Sequence, residues 1–199
     1  VNNSSKASLP APGLPQTFRT TLRHRETWTG TGPTSTARKY GLLEPLGKYP
    51  YYLPQLMQIW SHARIKATRI TLEVVNASAD ALQLIVCPSP ANVSLPDPDA
   101  LEETKWARSI IVSGKGGMDR GAATITLDAK ALLANEYMTA DFDFDLAQAT
   151  STVPLSDDEL VWQVYGRSLD LTKMTDVKFS VLVTLDYSIE LYHLQPPLA

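Results

Sequence analysis

Three aspartates, Asp141, Asp143 and Asp145, alternate with Phe142 and Phe144, so any strand there carries three carboxylates on one side. Asp157, Asp158 and Glu159 form a second acidic group. Clustered carboxylates can hold Ca²⁺, a hard cation that takes about six to eight oxygen ligands. The alternative is a solvated acidic edge that discourages wrong strand pairing. Cationic residues gather in two places: Arg19, Arg23 and Arg25, with His24 among them, and then Arg64, Lys66 and Arg69. On a common surface such residues neutralise phosphates. The alternatives are pairing with acids of a neighbouring chain, or simple solvation.

Other reactive-looking residues lead nowhere. Gly114-Lys115-Gly116-Gly117 lacks the Gly-Lys-Ser/Thr ending of a phosphate loop, so a turn is expected. His24, His62 and His193 have no ligand spacing. No serine sits in a Gly-x-Ser-x-Gly elbow. Cys87 is the only cysteine, at the end of an apolar run, and reads as a buried inert thiol. No intrachain disulfide or cysteine metal cluster can form. These absences point away from an enzyme.

The elements that must position the charges are mostly strands. Residues 17 to 29 alternate, with Phe18, Thr20, Leu22, His24 and Glu26 opposing Arg19, Thr21, Arg23, Arg25 and Thr27. Gly30 to Tyr40 reads as a loop. Pro54 suits the first turn of a short helix, with Leu53, Leu56, Met57 and Trp60 on one face. From Lys66 the period becomes two: Lys66, Thr68, Ile70, Leu72 and Val74 fall on one side, and Ala67, Arg69, Thr71, Glu73 and Val75 on the other. A strand over 81–88 follows after the short polar link Asn76-Ala77-Ser78-Ala79-Asp80, which suits a hairpin. Proline fills the loop from Pro88 to Asp99. Further strands are expected at 108–113, 122–127, 141–146, 160–167 and 177–192, with a helical turn at 101–106 and a short helix capped by Asp128. Eight strands without a βαβ rhythm predict an all-β, antiparallel jelly-roll sandwich with short helices in the loops.

The totals agree. The chain has 199 residues, 44% of them hydrophobic and 20% charged, enough for one buried core. The net charge of −3 confines any phosphate-binding surface to a local patch. No stretch is long and apolar enough to span a bilayer, and no partner membrane is expected. Residues 1–16, with Pro10, Pro12 and Pro15, read as a flexible arm, 17–196 as the jelly-roll domain and 197–199 as a tail.

Several segments together resemble the single jelly-roll shell domain in capsid proteins of small icosahedral viruses, of the nodavirus and tombusvirus kind. The aromatic, proline-containing run Tyr49 to Trp60 leads into basic residues and a strand near Ile65, similar to the CHEF-side hairpin of those shells. Pro88-Ser89-Pro90 is similar to the loop leaving that hairpin. Ser113 to Asp119 resembles the glycine turn between middle strands, and Val161 to Gly166 with Val181 to Leu191 resembles the terminal strand pair. Leu185-Asp186-Tyr187-Ser188-Ile189-Glu190-Leu191, with Pro196 after it, fits the tract that closes such shells. Single-stranded DNA viruses of the diatom-infecting type share this organisation.

The resemblance implies a virion location, self-assembly into an icosahedral homo-oligomer around viral nucleic acid, and, in several members, Ca²⁺ between subunits. It departs from the family in lacking an arginine-rich arm before the first strand; only Lys6 stands there. The competing function is a jelly-roll carbohydrate-binding module, with Tyr49, Tyr51, Tyr52 and Trp60 as a platform for sugar rings. Ile70, Leu72, Val74, Leu84, Val86, Val181, Val183 and Leu185 are the expected core.

Overall fold

A computed structural model of the chain describes residues 13, 15–32, 36–41, 50, 52–90, 102–103, 106–114, 120–128, 143–144, 160–169 and 177–194. The described elements are β1 (Thr17–Gly32), β2 (Thr36–Gly41), α1 (Leu53–Leu56), β3 (Trp60–Asn76), β4 (Leu82–Pro90), β5 (Arg108–Val112), β6 (Arg120–Asp128), β7 (Asp143–Phe144), β8 (Leu160–Ser168) and β9 (Val177–Leu194). They form two antiparallel sheets. One runs β1-β9-β3-β6, with β7 also paired to β3; the other runs β2-β8-β4-β5. Successive strands mostly change sheet, which is the jelly-roll connection.

The alternating strands supply the core. Ile70, Leu72 and Val74 of β3 and Val181, Val183 and Leu185 of β9 share the core with Leu84 and Val86 of β4, and none of these eight is more than 2% exposed. Burying each such side chain contributes roughly 1.5–3 kcal/mol. The helical face also holds: Leu53, Met57 and Trp60 are buried, and Leu56 packs against the cluster. The two sheets approach closely where Gly166 of β8 meets the Phe179 ring of β9. A Cβ at Gly166 would lie 2.7 Å from that ring, so no side chain fits. Phe179 in turn meets Trp28 edge-on at 5.3 Å. The second sheet is buried on its other face too, where Ile85, Cys87 and Tyr165 cluster with Ala107.

Several local expectations are corrected. The strands joined by Asn76 to Asp80 are not a hairpin: β3 pairs with β6, β7 and β9, whereas β4 pairs with β5 and β8. The short link is a crossover between sheets. Asn76 fixes it, its amide donating to the carbonyls of Asp80 (2.8 Å), Val112 (3.3 Å) and Ser113 (3.2 Å) while its Oδ1 accepts from the Ser78 N–H (2.9 Å). In the same way β8 and β9 are not a terminal pair, and β6 does not return alongside β5. Each strand pairs where its apolar face is covered, not where the loop is short.

Three boundaries also move. Thr36–Gly41 is a strand, with Tyr40 buried, although its composition reads as loop. β3 starts at Trp60, well before Lys66. β4 runs on to Pro90, and β5 stops pairing with it at Val86, which is where missing N–H groups cost least. Of the strand expected at 141–146, the described residues Asp143–Phe144 are strand. The helix expected from Asp128 lies outside the described residues apart from Asp128 itself, which closes β6.

Candidate nucleic-acid interface

The outward face of the first sheet brings together all six cations singled out from sequence. β9 lies between β1 and β3, and antiparallel register sets Arg23 and Arg69 on either side of Asp186, and Arg19 and Arg64 on either side of Glu190. Cross-strand neighbours on one face stand close enough to pair. Arg23 donates through Nε to Asp186 Oδ1 at 2.6 Å and through Nη2 to Oδ2 at 3.1 Å. Arg69 donates through Nε to Asp186 Oδ2 at 3.0 Å. Arg19 Nε reaches Glu190 Oε1 at 2.7 Å, and Lys66 Nζ reaches Glu190 Oε2 at 3.0 Å. Arg25 bonds Thr184 Oγ1 at 3.3 Å.

Lys66 reaches this face through an irregularity. Strict alternation puts it on the apolar side with Thr68 and Ile70. A bulge between Ile65 and Ala67 shifts the register against β9 and turns Lys66 outward beside Glu190. The period-two reading from Lys66 is therefore off by the one residue that the bulge inserts.

The two carboxylates lie beneath their cations. Asp186 is 6% exposed and Glu190 9%, whereas the Arg19 and Arg23 side chains are 79% and 58% exposed. The Arg23 hydrogen bond holds the Asp186 carboxyl below the usual carboxylate range; burial opposes this, and Arg69 reinforces it. Lys66 first, then Arg19, hold Glu190 down in the same way. Four of the six cations, Arg19, Lys66, Arg23 and Arg69, thus pair with two carboxylates, while Arg25 bonds Thr184 and Arg64 lies over Tyr192. The pairing alternative weighed from sequence named acids of a neighbouring chain; the acids met here belong to the chain's own β9. Matching spacing carried the signal. Arg19 and Arg23 stand four apart in β1, and Asp186 and Glu190 stand four apart in β9.

The residues of the proposed calcium site fall mostly outside the described residues. Asp143 is placed by its backbone, which pairs with Arg64. Asp141 and Asp145 lie outside the described residues. Among the described residues no group of three His, Cys, Asp or Glu side chains is arranged to hold a metal ion. The sugar platform fails at Trp60, which is 4% exposed and covered by a stacked Phe18 ring at 5.3 Å. Tyr52 is exposed, but Tyr49 and Tyr51 lie outside the described residues. Gly114 sits where a Cβ would meet the Ala79 carbonyl at 1.8 Å, so close backbone approach explains this glycine.

Solved virus structures share this fold. That of cocksfoot mottle virus matches with a TM-score of 0.57 at 16% identity, over 91% of this chain and 97% of that one. Tobacco necrosis virus matches at 0.51 and 13% identity, over 90% and 98%. A T=1 subviral particle of a Penaeus vannamei nodavirus capsid protein deletion mutant matches at 0.50 and 10% identity, over 89% and 98%. No protein-family model matches the chain, and no curated protein matches it in sequence. At these identities the likeness is one of fold: a single jelly roll of the kind found in nodavirus- and tombusvirus-type shells.

Proposed function

We propose that the chain is a structural shell subunit of a small icosahedral virus. It associates with copies of itself to enclose nucleic acid, and it acts in the virion. The observation that carries this reading is the pair of strand orders, β1-β9-β3-β6 over β2-β8-β4-β5, in a fold matched almost end to end by the virus structures above. The jelly-roll unit is taken as 17–196, which contains every described strand.

Two surface features support it. Tyr52, Ile59, Ile111 and Leu169 are exposed apolar side chains suited to burial between copies. Arg19, Arg23, Arg25, Arg64, Lys66 and Arg69 form the contact for phosphates, because they gather on one face and the paired ones stay exposed, Arg19 at 79% and Arg23 at 58%. The role is structural, not catalytic. No helix among the described residues is long and apolar enough to cross a membrane.

Electron microscopy of the purified full chain tests the proposal. Closed particles of uniform diameter are the expected result. A chain that stays monomeric over a wide range of concentration and salt would overturn it.

A further inference from the structure

At one end of the basic face, four ring or planar side chains collect in a way that phosphate neutralisation does not require. His62 and Arg64 project from β3 on the same face as Tyr192 of β9. The His62 ring stacks on Tyr192 with centroids 5.5 Å apart and 21° between planes. The Arg64 guanidinium carbon lies 5.1 Å from the Tyr192 ring centroid.

His193 completes the group by breaking the strand's alternation. Next after outward Tyr192, it should point inward, as buried Leu191 does. Its φ of 55° is the only positive value at a non-glycine among the described residues. The left-handed backbone turns its ring outward, to 5.0 Å from Tyr192 and 5.3 Å from His62. The Ser61 hydroxyl donates to the His193 carbonyl at 2.9 Å and holds the turn. Backbone held in a sparsely populated region marks a position that the surroundings enforce, and such positions concentrate at binding sites.

Beside this cluster lies a half-open cavity of about 330 Å³, lined by Gln16, Thr17, Arg64, Glu190, Tyr192 and His193. The volume falls within the range of small-ligand sites. Arg64 and Glu190, the latter engaged by Arg19 and Lys66, both line the cavity, so a guanidinium stands at its wall. Flat aromatic surface, a guanidinium and a polar recess together suit one nucleotide of a single strand. The base lies against the ring cluster, and the phosphate meets Arg64.

We propose that the cavity at Arg64, Tyr192 and His193 is a nucleotide-binding subsite, taking one unstacked base of a single-stranded nucleic acid. It rests on the reading of this face as the genome contact, but it adds stacking, which a purely electrostatic surface lacks.

The test mixes the full chain with a short fluorescein-labelled single-stranded oligonucleotide near neutral pH and reads anisotropy across a salt series. Tyr192→Leu and His193→Gly should each weaken binding by about five-fold or more. Their salt slopes should stay at the wild-type value, because every cation that meets a phosphate is still present. Tyr192→Phe should retain wild-type affinity. Glycine accepts the left-handed backbone, so His193→Gly carries the test alone should Tyr192→Leu fail to fold.

Adenosine monophosphate should compete for the site better than inorganic phosphate. Wild-type affinity in both the Leu and Gly variants overturns the subsite while leaving the basic face intact. Equal competition by inorganic phosphate also overturns it. Absence of oligonucleotide binding by the wild type at low salt removes the subsite and the genome contact together.

Discussion

Asp186 touches both flanking strands at once, so its charge state reports on the whole basic face. Its carboxyl lies beneath Arg23 and Arg69, which hold it below the ordinary aspartate range near about 3.9. A carboxylate favoured in the folded state binds its proton more readily when unfolded. Its contribution to stability is therefore full above the unfolded value and is lost as pH falls through the depressed folded one. Glu190 behaves alike. The expected outcome is a urea midpoint that is level from neutrality to about pH 5 and declines below about pH 4. In Asp186→Asn that acid decline should be shallower. Chemical denaturation of both proteins across pH checks this, and parallel profiles would remove Asp186 from the account. The cations were legible in the sequence as a group, because Arg19, Arg23 and Arg25 alternate in an evident strand. Their partners were not, because Asp186 and Glu190 lie in β9, and only the register of two distant strands says which charges meet.

Strands were easier to read than their pairing. β3 and β9 are long and alternate over most of their length, so their existence and their buried faces followed from apolar periodicity alone. β2 escaped notice because Thr36-Ala37-Arg38-Lys39-Tyr40-Gly41 offers one large apolar residue, and its pairing with β8 makes the strand. The link after β3 misled for a different reason. Its polar, short composition fits a hairpin, but Asn76 satisfies backbone groups on the β3–β4 connection and at the end of β5, which belongs to the other sheet. Asn76 is 2% exposed, so losing its amide leaves buried carbonyls without that donor. Asn76→Ala is expected to cost about 1–3 kcal/mol. Thermal or urea unfolding of the variant measures it, and an unchanged midpoint would mean that the crossover does not need its amide.

For the whole molecule, charge placement matters more than charge total. A protein of net charge −3 repels a polyanion on average, so contact depends on which face is presented. Replacing Arg19, Arg23 and Arg25 by alanine in assembled particles should reduce nucleic-acid retention. It should also flatten retention's dependence on salt by roughly one phosphate's worth for each arginine that had met one. Unchanged retention and slope would move the contact elsewhere. Calcium makes a separate prediction. If Asp141, Asp143 and Asp145 hold Ca²⁺ between subunits, chelation at neutral pH should swell or loosen particles, because the carboxylates then repel one another. Particles indifferent to chelator from about pH 5 to 8 would leave these residues as a solvated acidic edge.

β9 lies inside its half of the sandwich, yet it follows every other described strand in chain order. Arg19 and Glu190, joined across β1 and β9, are 171 positions apart in the chain. Until the ribosome has delivered β9, β1 and β3 have no neighbour between them and expose open hydrogen-bonding edges. Closure of this sheet thus waits on the last of the described strands. A chain cut short before β9 cannot close it, and only subunits that carry β9 present the basic face as a continuous surface. A product lacking β9 is left with open strand edges and without the Asp186 and Glu190 pairs, and such edges favour aggregation.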